Sequence, residues 1–400
     1  MSHDQPQAWR TVTIEDLGQV VTGRTPPSSK PEMFGSEYPF ITPSDMSFGL
    51  RRVTTERSIS LIGSLALGRI KLPPKSVAFV CIGATIGKVC LTSEDSFTNQ
   101  QINSIVVDCD RHSPEFVYYL MLGMVDKVKA LAGGAATPIV NKSSFCGISV
   151  SIPPIEIQSK IAFTLSAYDD LIENNTRRIE ILEEMARRLY EEWFVQFRFP
   201  GHEGVEFKES LPSGWAWVSI EDAADNFDRL RKPLSKMQRA GRSGSYPYYG
   251  AAKVFDYIDD YLFEGRYLLM AEDGSVITPE GHPVLQITHG RFWVNNHTHI
   301  LKGRGPFSTE FIYLALSTYQ VAGHITGAAQ PKITQANMNR IPVLRATNDV
   351  HASFDAHIGP VFDLIETLER KNVNLRAQRD LLLPKLISGE IDVSDIPMPT

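Results

Sequence analysis

The chain has 400 residues, and 42% of them are hydrophobic, which is enough for packed cores and excludes a disordered chain. This length predicts two or three domains of ordinary size. The polar start, the absence of an apolar run near the roughly 20 residues of a membrane helix, and four scattered cysteines without metal-ligand spacing predict a reduced, cytoplasmic protein.

The net charge of −6 is unevenly distributed along the chain. Residues 156–200 carry nine Asp and Glu against six Lys and Arg, and residues 346–400 carry nine against five. Residues 1–155 and 201–345 are near neutral, with 13 acidic against 14 basic residues and 15 against 15. Because nucleic-acid binding depends on local charge, each near-neutral part can present a basic face. The acidic total therefore does not exclude a DNA partner.

The first segment, residues 1–154, mixes short β-rich runs with Gly and Pro turns, which predicts a compact α+β domain. Its run "FVCIGATIGKV" is close to a phosphate-binding loop, which needs four residues between its glycines and Ser or Thr after its lysine. Here Gly83 and Gly87 enclose three residues, and Val89 follows Lys88. We interpret the run as two strands joined by a glycine turn, with Lys88 exposed at its tip. A nucleotide hydrolase remains the alternative.

The second segment, residues 155–200, predicts a long helix whose apolar residues alternate at spacings of four and three, the period of a coiled-coil seam. The seam positions are Ile161, Leu165, Tyr168, Ile172, Asn175, Ile179, Leu182, Ala186, Leu189 and Trp193. A buried Asn in such a seam costs stability but fixes the register of the helices, because a slipped pairing leaves its amide unsatisfied.

The chain then repeats itself, which is the strongest signal in the sequence. "WRTVTIEDLGQVV" returns as "WAWVSIEDAADNF", "SPEFVYYLM" as "STEFIYLAL", and "AGGAATPIVNKSSFCGISVSIP" as "ITGAAQPKITQANMNRIPVL". The echoes keep their order, at offsets between 189 and 206 residues. Residues 201–345 are therefore predicted to be a second, diverged copy of the first α+β domain.

The last segment, residues 346–400, repeats the helical pattern. Its seam positions are Phe354, Ile358, Val361, Ile365, Leu368, Asn372, Leu375, Arg379, Leu382 and Leu386. The simplest arrangement is antiparallel pairing of the two helices; two separate amphipathic helices, each on its own domain, are the alternative. Pro384 is expected to end or kink the second helix. The predicted fold is α+β, with two pseudo-symmetric globular domains separated by two long antiparallel coiled-coil helices.

These features resemble the specificity (S) subunits of type I restriction–modification systems (the HsdS family) over nearly the whole chain. The resemblance is carried by "SIPPIEIQSKIA", "IENNTRRIEILEEMARRLYEEWF", "LRAQRDLLLPKLISGEI", "TVTIEDLGQVVTGRTP" and "LPSGWAWVSIED". "GATIGKV" also resembles a segment of the target-recognition domains of that family. The resemblance implies target-recognition domains at 1–154 and 201–345, a central spacer helix at 155–200, and a C-terminal spacer helix and tail at 346–400.

The resemblance further implies a DNA-recognition subunit that binds double-stranded DNA at a bipartite, asymmetric site and scaffolds two methyltransferase (M) subunits, joined by restriction (R) subunits. It implies that this chain is not catalytic and holds no cofactor, with S-adenosylmethionine, Mg²⁺ and ATP on partner subunits. The sequence agrees, because it has neither an Asn/Asp-Pro-Pro-Phe/Tyr loop nor a glycine-rich cofactor motif. A specificity subunit paired with a fused methylase–nuclease polypeptide remains an alternative.

Candidate DNA contacts follow from chemistry, because Arg and Lys suit guanine and phosphate while Asn and Gln suit adenine. In the first copy they are Arg24, Thr25, Lys88, Asn99, Gln100, Gln101, Asn141 and Lys142. In the second copy they are Arg229, Arg231, Lys232, Tyr249, Arg291, Asn295, Asn296 and Lys332. Helix register and partner docking are assigned to Asn175, Leu182, Leu189, Asn372 and Leu382. His289, His297 and His299 have the chemistry of zinc ligands but are interpreted as strand histidines, and no metal site is predicted.

Overall fold

The computed structural model describes residues 9–132, 138–327 and 329–398, so residues 133–137 and Ala328 of the third sequence echo lie outside the described residues. The chain forms two compact units. The first unit comprises Met1–Asn175 and Lys371–Thr400, and the second unit is Thr176–Arg370. The predicted α+β class with two globular domains and long helices is confirmed. The domain bounds given above stay a prediction.

The described residues of the first unit form three sheets. Their strands are β1 (Arg10–Thr13), β2 (Gly18–Thr22), β3 (Phe34–Gly35), β4 (Tyr38–Ile41), β5 (Ser58–Ile59), β6 (Val77–Val80), β7 (Val89–Leu91), β8 (Phe97–Thr98), β9 (Ile102–Val107) and β10 (Ser149–Ile152). The strands β1 and β10 form an antiparallel pair. The order β2-β9-β6-β7 is antiparallel throughout, whereas the order β3-β5-β4-β8 includes the parallel pair β4/β8.

In the first unit, α2 (Pro114–Gly123), α3 (Val125–Leu131), α4 (Lys142–Cys146) and the first part of α5 (Ile155–Tyr190) share a core with the β2-β9-β6-β7 sheet. The short helix α1 (Leu61–Leu67) instead packs beside β5 of the other four-stranded sheet. The run "SVAFV" gives β6 an entirely buried strand, and Phe79 from it packs in one core with Phe116 of α2 and Leu165 of α5. Burial of such side chains contributes roughly 1.5–3 kcal/mol each. The α+β domain and the long helices of this unit therefore share one core.

The second unit repeats this topology. Its strands are β11 (Phe207–Lys208), β12 (Leu211–Pro212), β13 (Ala216–Ser219), β14 (Ala224–Asn226), β15 (Ser243–Tyr249), β16 (Val254–Ile258), β17 (Phe263–Glu264), β18 (Tyr267–Ala271), β19 (Leu285–Thr288), β20 (Arg291–Val294), β21 (Thr298–Gly303) and β22 (Pro342–Arg345). The order β14-β21-β18-β19 matches β2-β9-β6-β7, the pair β13/β22 matches β1/β10, and the parallel pair β15/β20 matches β4/β8. The duplication read from the sequence is thus a duplication of fold.

The second unit contains α6 (Ile220–Ala223), α7 (Lys236–Ala240), α8 (Thr309–Ser317), α9 (Gln335–Asn339), the second part of α5 and most of α10 (Asn348–Ile387). The helices α8 and α9 correspond to α2 and α4 of the first unit. Ser113 caps α2 by accepting a hydrogen bond from the Phe116 amide at 3.3 Å, and Ser308 caps α8 from the Phe311 amide at 3.1 Å. These caps satisfy backbone donors that the first helical turn leaves unpaired.

The two long helices follow the predicted seam. Every seam side chain of α5 and α10 is buried or half-buried. Pro153 and Pro154 precede α5, which ends in a π-turn at Glu191–Val195. The helix α10 does not end at Pro384 but continues to Ile387. Pro384 lies on the exposed face, so the carbonyl group that loses its donor can be hydrated.

Within the first unit, α5 and α10 run antiparallel. Asn175 donates from Nδ2 to Oδ1 of Asn372 at 2.9 Å, and Arg379 pairs with Asp169 at 2.5 Å. Earlier residues of α5 therefore contact later residues of α10, as antiparallel helices require. A coiled coil along the whole length of both helices stays a prediction. Among the described residues, no helix is long and apolar enough to cross a lipid bilayer.

Candidate nucleic-acid interface

One edge of the β2-β9-β6-β7 sheet gathers most first-copy candidates. Because neighbouring strands are antiparallel, β2 and β6 end where β9 begins. The segments that follow or precede these strand ends carry polar side chains, many of them exposed. We call this surface the first polar edge; it consists of Arg24, Thr25, Asn99, Gln100, Gln101, Asn141 and Lys142.

Backbone hydrogen bonds hold the first polar edge together. The Arg24 amide donates to the Thr98 carbonyl at 2.8 Å, and the Cys81 amide donates to the Gln101 carbonyl at 2.8 Å. The Val140 amide in turn donates to the Cys81 carbonyl at 2.9 Å, which brings Asn141 alongside. The sequence places these residues in separate turns, and the structure brings those turns next to one another.

Gly23 is needed for this close approach. A Cβ atom at Gly23 would lie 2.2 Å from the Asn99 carbonyl oxygen and 2.3 Å from the Thr98 carbonyl oxygen, distances that real Cβ atoms do not adopt. The end of β2 can therefore lie against the Asn99 turn only because residue 23 lacks a side chain.

An uncharged polar cluster lies beneath the first polar edge. Thr22 donates from Oγ1 to Oδ1 of Asn103 at 2.7 Å, and Asn103 donates from Nδ2 to Sγ of Cys81 at 3.3 Å. Burial raises the pKa of Cys81 to about 12, so its thiol is neutral at pH 7. This cluster is therefore held together without any ionised group.

Lys88 departs from its predicted exposure. The glycine turn forms as expected between β6 and β7, with Gly83 and Gly87 at φ of 79° and 92°. Lys88 is half-buried, however, and its Nζ donates to the Pro43 carbonyl at 2.7 Å, with the Phe48 ring 6.0 Å away. The ammonium is held by this carbonyl acceptor, so it does not project from the tip, and its contact with DNA stays a prediction.

The second unit builds an equivalent surface from different residues. We call it the second polar edge; it consists of Arg229, Lys232, Asn295, Asn296 and Lys332. The Glu272 amide donates to the His297 carbonyl at 2.9 Å, and the Ile333 amide donates to the Glu272 carbonyl at 2.9 Å. These bonds correspond to those of Cys81 with Gln101 and Val140. The same backbone ladder thus supports both polar edges.

The cluster beneath the second polar edge is charged. His299, which is 1% exposed, has Nδ1 2.6 Å from Oδ2 of Asp228 and Nε2 2.8 Å from the Ile333 carbonyl oxygen. Each ring nitrogen thus lies within hydrogen-bond distance of an oxygen acceptor. Glu272 accepts hydrogen bonds from Arg231 at 2.7 Å and pairs with Lys332 at 3.0 Å. Asp228, Glu272 and His299 thus occupy the place of Thr22, Cys81 and Asn103.

Two carboxyl groups of this network have lowered pKa values. Burial by itself raises the pKa of Asp228, but the hydrogen bond from His299 outweighs burial and holds that pKa below its usual value. Burial likewise raises the pKa of Glu272, and the hydrogen bonds from Arg231 and Lys332 outweigh it. Both groups are therefore ionised at neutral pH and satisfied by cations of the same chain.

Three second-copy candidates are held away from solvent or from the edge. Arg231 donates to Glu272 and to the carbonyl groups of Asp228 and Thr298, so its guanidinium joins segments of the fold. Tyr249 is half-buried, and burial raises its pKa to about 12. Arg291 lies at the opposite end of β20 from Asn295, where it pairs with Glu264 at 3.2 Å. Their assignment to DNA contacts stays a prediction.

The candidate histidines have separate partners. His297 contacts Asp273 at 2.8 Å, His289 contacts Glu369 at 3.1 Å, and His299 belongs to the buried network. Asp228, Glu272 and His299 do offer ligand atoms within 4.8 Å of one another. Arg231 and Lys332 already supply the cationic groups there, so we interpret the cluster as a salt-bridge network.

Three of the leucines assigned to partner docking pack partly within the fold. Leu182 and Leu189 pack, half-buried, against the core of the second unit, and Leu382 packs in the same way against the core of the first unit. Their seam positions turn them toward their own domains, and their part in partner docking stays a prediction. The sequence pattern correctly marked these positions as apolar contacts but could not distinguish an internal contact from an external one.

Together, these observations define a class of protein. It has two copies of one α+β domain, and each copy carries exposed Arg, Lys, Asn or Gln side chains on a hydrogen-bonded edge. Amide and cationic side chains in this arrangement suit base edges and phosphates. The class is a duplicated nucleic-acid-recognition module.

Comparison with known proteins agrees. The family model for the type I restriction modification DNA specificity domain matches residues 6–184 and 212–344, so the chain belongs to that family. The type I restriction enzyme MjaIX specificity subunit of Methanocaldococcus jannaschii is 24% identical over 425 residues, covering 98% of this chain and 95% of that protein. The HindI specificity subunit of Haemophilus influenzae is 37% identical over 194 residues, covering 46% and 41%.

A solved structure shares the fold. The S subunit of a type I restriction-modification system from M. genitalium matches with a TM-score of 0.59 and 16% identity, covering 96% of this chain and 97% of that chain. The resemblance stated from the sequence is therefore confirmed at the level of family and fold.

Proposed function

We propose that the chain is the DNA-reading and scaffolding subunit of a type I restriction–modification complex, and that each polar edge reads one half of a bipartite DNA site. The observation that carries this proposal is the shared backbone ladder, which presents exposed polar side chains at the same place in both copies. A fixed platform with variable side chains is what sequence-specific readout requires.

The two halves of the site should differ, because the edges differ. Arg24 and Lys142 accompany Gln100 on the first edge, whereas Arg229 and Lys232 accompany Asn296 on the second. These four cations are exposed and suited to phosphate contacts, which position a protein on the duplex. The residues beneath the two edges also differ: the first edge has an uncharged cluster and the second has an ionic network. The recognised site is therefore split and asymmetric.

The reaction itself belongs to partner subunits in this proposal. Two methyltransferase subunits would supply S-adenosylmethionine chemistry, and restriction subunits would supply ATP- and Mg²⁺-dependent cleavage. The side chains of both polar edges are suited to hydrogen bonding and charge, and we assign none of them to a catalytic step. A partner in which methylase and nuclease are fused would use the same recognition surfaces.

We place the docking surface for a methyltransferase on the exposed face of the long helices. Ile181 and Met185 lie one turn apart on α5 and are 51% and 55% exposed. Ile181 is adjacent to Leu182 in sequence and Met185 follows it by three residues, so both border the strip of α5 that packs on the core. An apolar pair of this kind on an otherwise charged helix suits a protein partner.

Substituting both residues, Ile181→Glu and Met185→Glu, should abolish assembly and leave the fold intact, because exposed positions tolerate charge. In cells that carry the partner methyltransferase, the native chain should direct DNA methylation, and the methyltransferase alone should not. The double variant should lose co-purification and methylation at an unchanged unfolding temperature. Leu65→Glu, at an 87% exposed position of α1, is the matched control and should behave as the native chain. Normal methylation with the double variant would show that Ile181 and Met185 do not belong to the docking surface.

A further inference from the structure

We propose that Gln100 and Asn296 are structurally equivalent base-reading residues, each directed to an adenine in its own half of the site. The proposal rests on the proposed function and goes beyond it by assigning one reading residue, and one base, to each domain. Sequence echoes alone do not align these two positions, because "TNQQIN" and "VNNHTH" share little beyond one Asn.

The equivalence is set by strand pairing. Phe97 and Thr98 run parallel to Phe40 and Ile41 in the first unit. Trp293 and Val294 run parallel to Tyr248 and Tyr249 in the second unit. The next residue in each copy is an Asn whose amide continues the pairing, Asn99 to Ile41 at 3.2 Å and Asn295 to Tyr249 at 3.0 Å.

The same turn follows in both copies. The Oδ1 atom of Asn99 accepts from the Gln101 amide at 3.1 Å, and Oδ1 of Asn295 accepts from the His297 amide at 2.9 Å. Both Asn side chains are buried, at 8% and 5% exposure. An Asn that bonds to the amide two residues ahead closes a rigid turn. The residue between the two bonded positions is then held at the tip.

The tip residue is the exposed one in each copy. Gln100 and Asn296 are both exposed, while the carbonyl group of the residue after each accepts a bond of the backbone ladder. Thr25 donates from Oγ1 to Oε1 of Gln100 at 2.7 Å, which orients the amide and leaves its NH₂ group free to donate. Among the described residues, the Asn296 side chain has no hydrogen-bond partner.

Other candidates on the two edges are occupied by structural contacts. Asn141 accepts from the Ser144 amide at 2.8 Å and caps α4. Lys332 and Arg231 are paired with Glu272, and the flanking Asn residues close their turns. An amide whose NH₂ group is free to donate, at a rigid tip flanked by exposed cations, remains in each copy. An Asn or Gln amide makes two hydrogen bonds to N6 and N7 of adenine, which identifies the base.

The test is the methylated motif of a host that expresses the complete complex. Gln100→Ala should relax discrimination at one adenine of one half-site by about 5-fold to 150-fold, and Asn296→Ala should do the same in the other half only. Gln19→Ala is the matched control, because Gln19 is an exposed amide on β2 away from the edge, and it should leave the motif unchanged.

An isosteric variant guards against loss of folding. Gln100→Glu keeps the shape of the side chain but removes its donor, so it should disfavour adenine and favour cytosine at the same position. If the native chain directs methylation to a split motif and Gln100→Ala, Asn296→Ala and Gln100→Glu all leave that motif unchanged, the assignment is overturned while the proposed function is sustained. If the native chain directs no methylation to a split site, the proposed function itself fails, and this inference fails with it.

Discussion

Replacing Arg379 with Met should destabilise the first unit by about 3–5 kcal/mol, the usual cost of breaking a buried ion pair. Arg379 and Asp169 are 4% and 3% exposed, and their charged groups are 2.5 Å apart. Asp169 also accepts from the Tyr119 hydroxyl at 2.6 Å, and Arg379 also donates to the Gly49 carbonyl at 3.0 Å. The pair thus joins α10 to α5, α2 and a domain loop.

The loss arises mainly from the carboxylate that is left behind. Burial lowers the pKa of Arg379, but the carboxylate of Asp169 outweighs burial and holds the pKa above its usual value, so the guanidinium stays charged. Met fills a similar volume and provides no cation. The change in the free energy of unfolding is measured by denaturant titration of the variant, monitored with a spectroscopic probe in the first unit.

The matched control is the double variant Asp169→Asn with Arg379→Met. The amide introduced at position 169 would still accept from the Tyr119 hydroxyl but would carry no charge, so this chain should be more stable than the single Arg379→Met variant. If the double variant loses as much stability as Arg379→Met and Asp169→Asn lose separately, added together, the unpaired buried charge is not the cause.

Acid should destabilise the second unit through His351. This residue is 1% exposed, and its Nε2 accepts from the Ala346 amide at 3.1 Å. The rings of Phe307 and Phe311 lie 4.9 Å and 4.7 Å away. Burial, with a smaller contribution from Arg345, lowers the pKa of His351 from 6.5 to about 4.

The direction of the effect follows from this depression. The folded state favours the neutral ring. The contribution of neutral His351 to the free energy of unfolding is therefore fully present above pH 6.5. It declines as pH falls from about 6.5 toward 4, by a total of about 3 kcal/mol. His351→Gln should remove this decline, and Gln158 shows that a buried Gln is accepted near the start of the other long helix. Unfolding midpoints at pH 7 and pH 4.5 provide the comparison; equal pH slopes for both chains would exclude His351 as the cause.

The sequence predicted the architecture because the informative signals are local or repeated. Helical periodicity located α5 and α10, and ordered echoes identified the duplicated domain. Turn chemistry selected most residues of both polar edges, since exposed Asn, Gln and Arg cluster where strands end. Pro384 does not end α10, because on an exposed face the carbonyl group that loses its donor can be hydrated; a kink at Pro384 stays a prediction.

Long-range pairing was not predictable in the same way. Arg379 was placed in the seam, but its partner Asp169 lies outside the seam positions and 210 residues away. Arg231 belongs to a basic cluster in the sequence, but its guanidinium is paired with Glu272, which is 41 residues away. Charge patterns in a sequence do not show which cation is neutralised within the fold. Consequently, the exposed and the paired members of one basic cluster become distinguishable only in three dimensions.

Exchange of one domain tests modular recognition most directly. Residues 1–150 would be replaced by the equivalent part of another specificity subunit, and the methylated motif of the host would be sequenced. Because each polar edge is built within its own unit, one half of the motif should change and the other half should stay as in the native protein. A motif that changed in both halves, or a single continuous palindrome for the native chain, would contradict recognition by two independent modules.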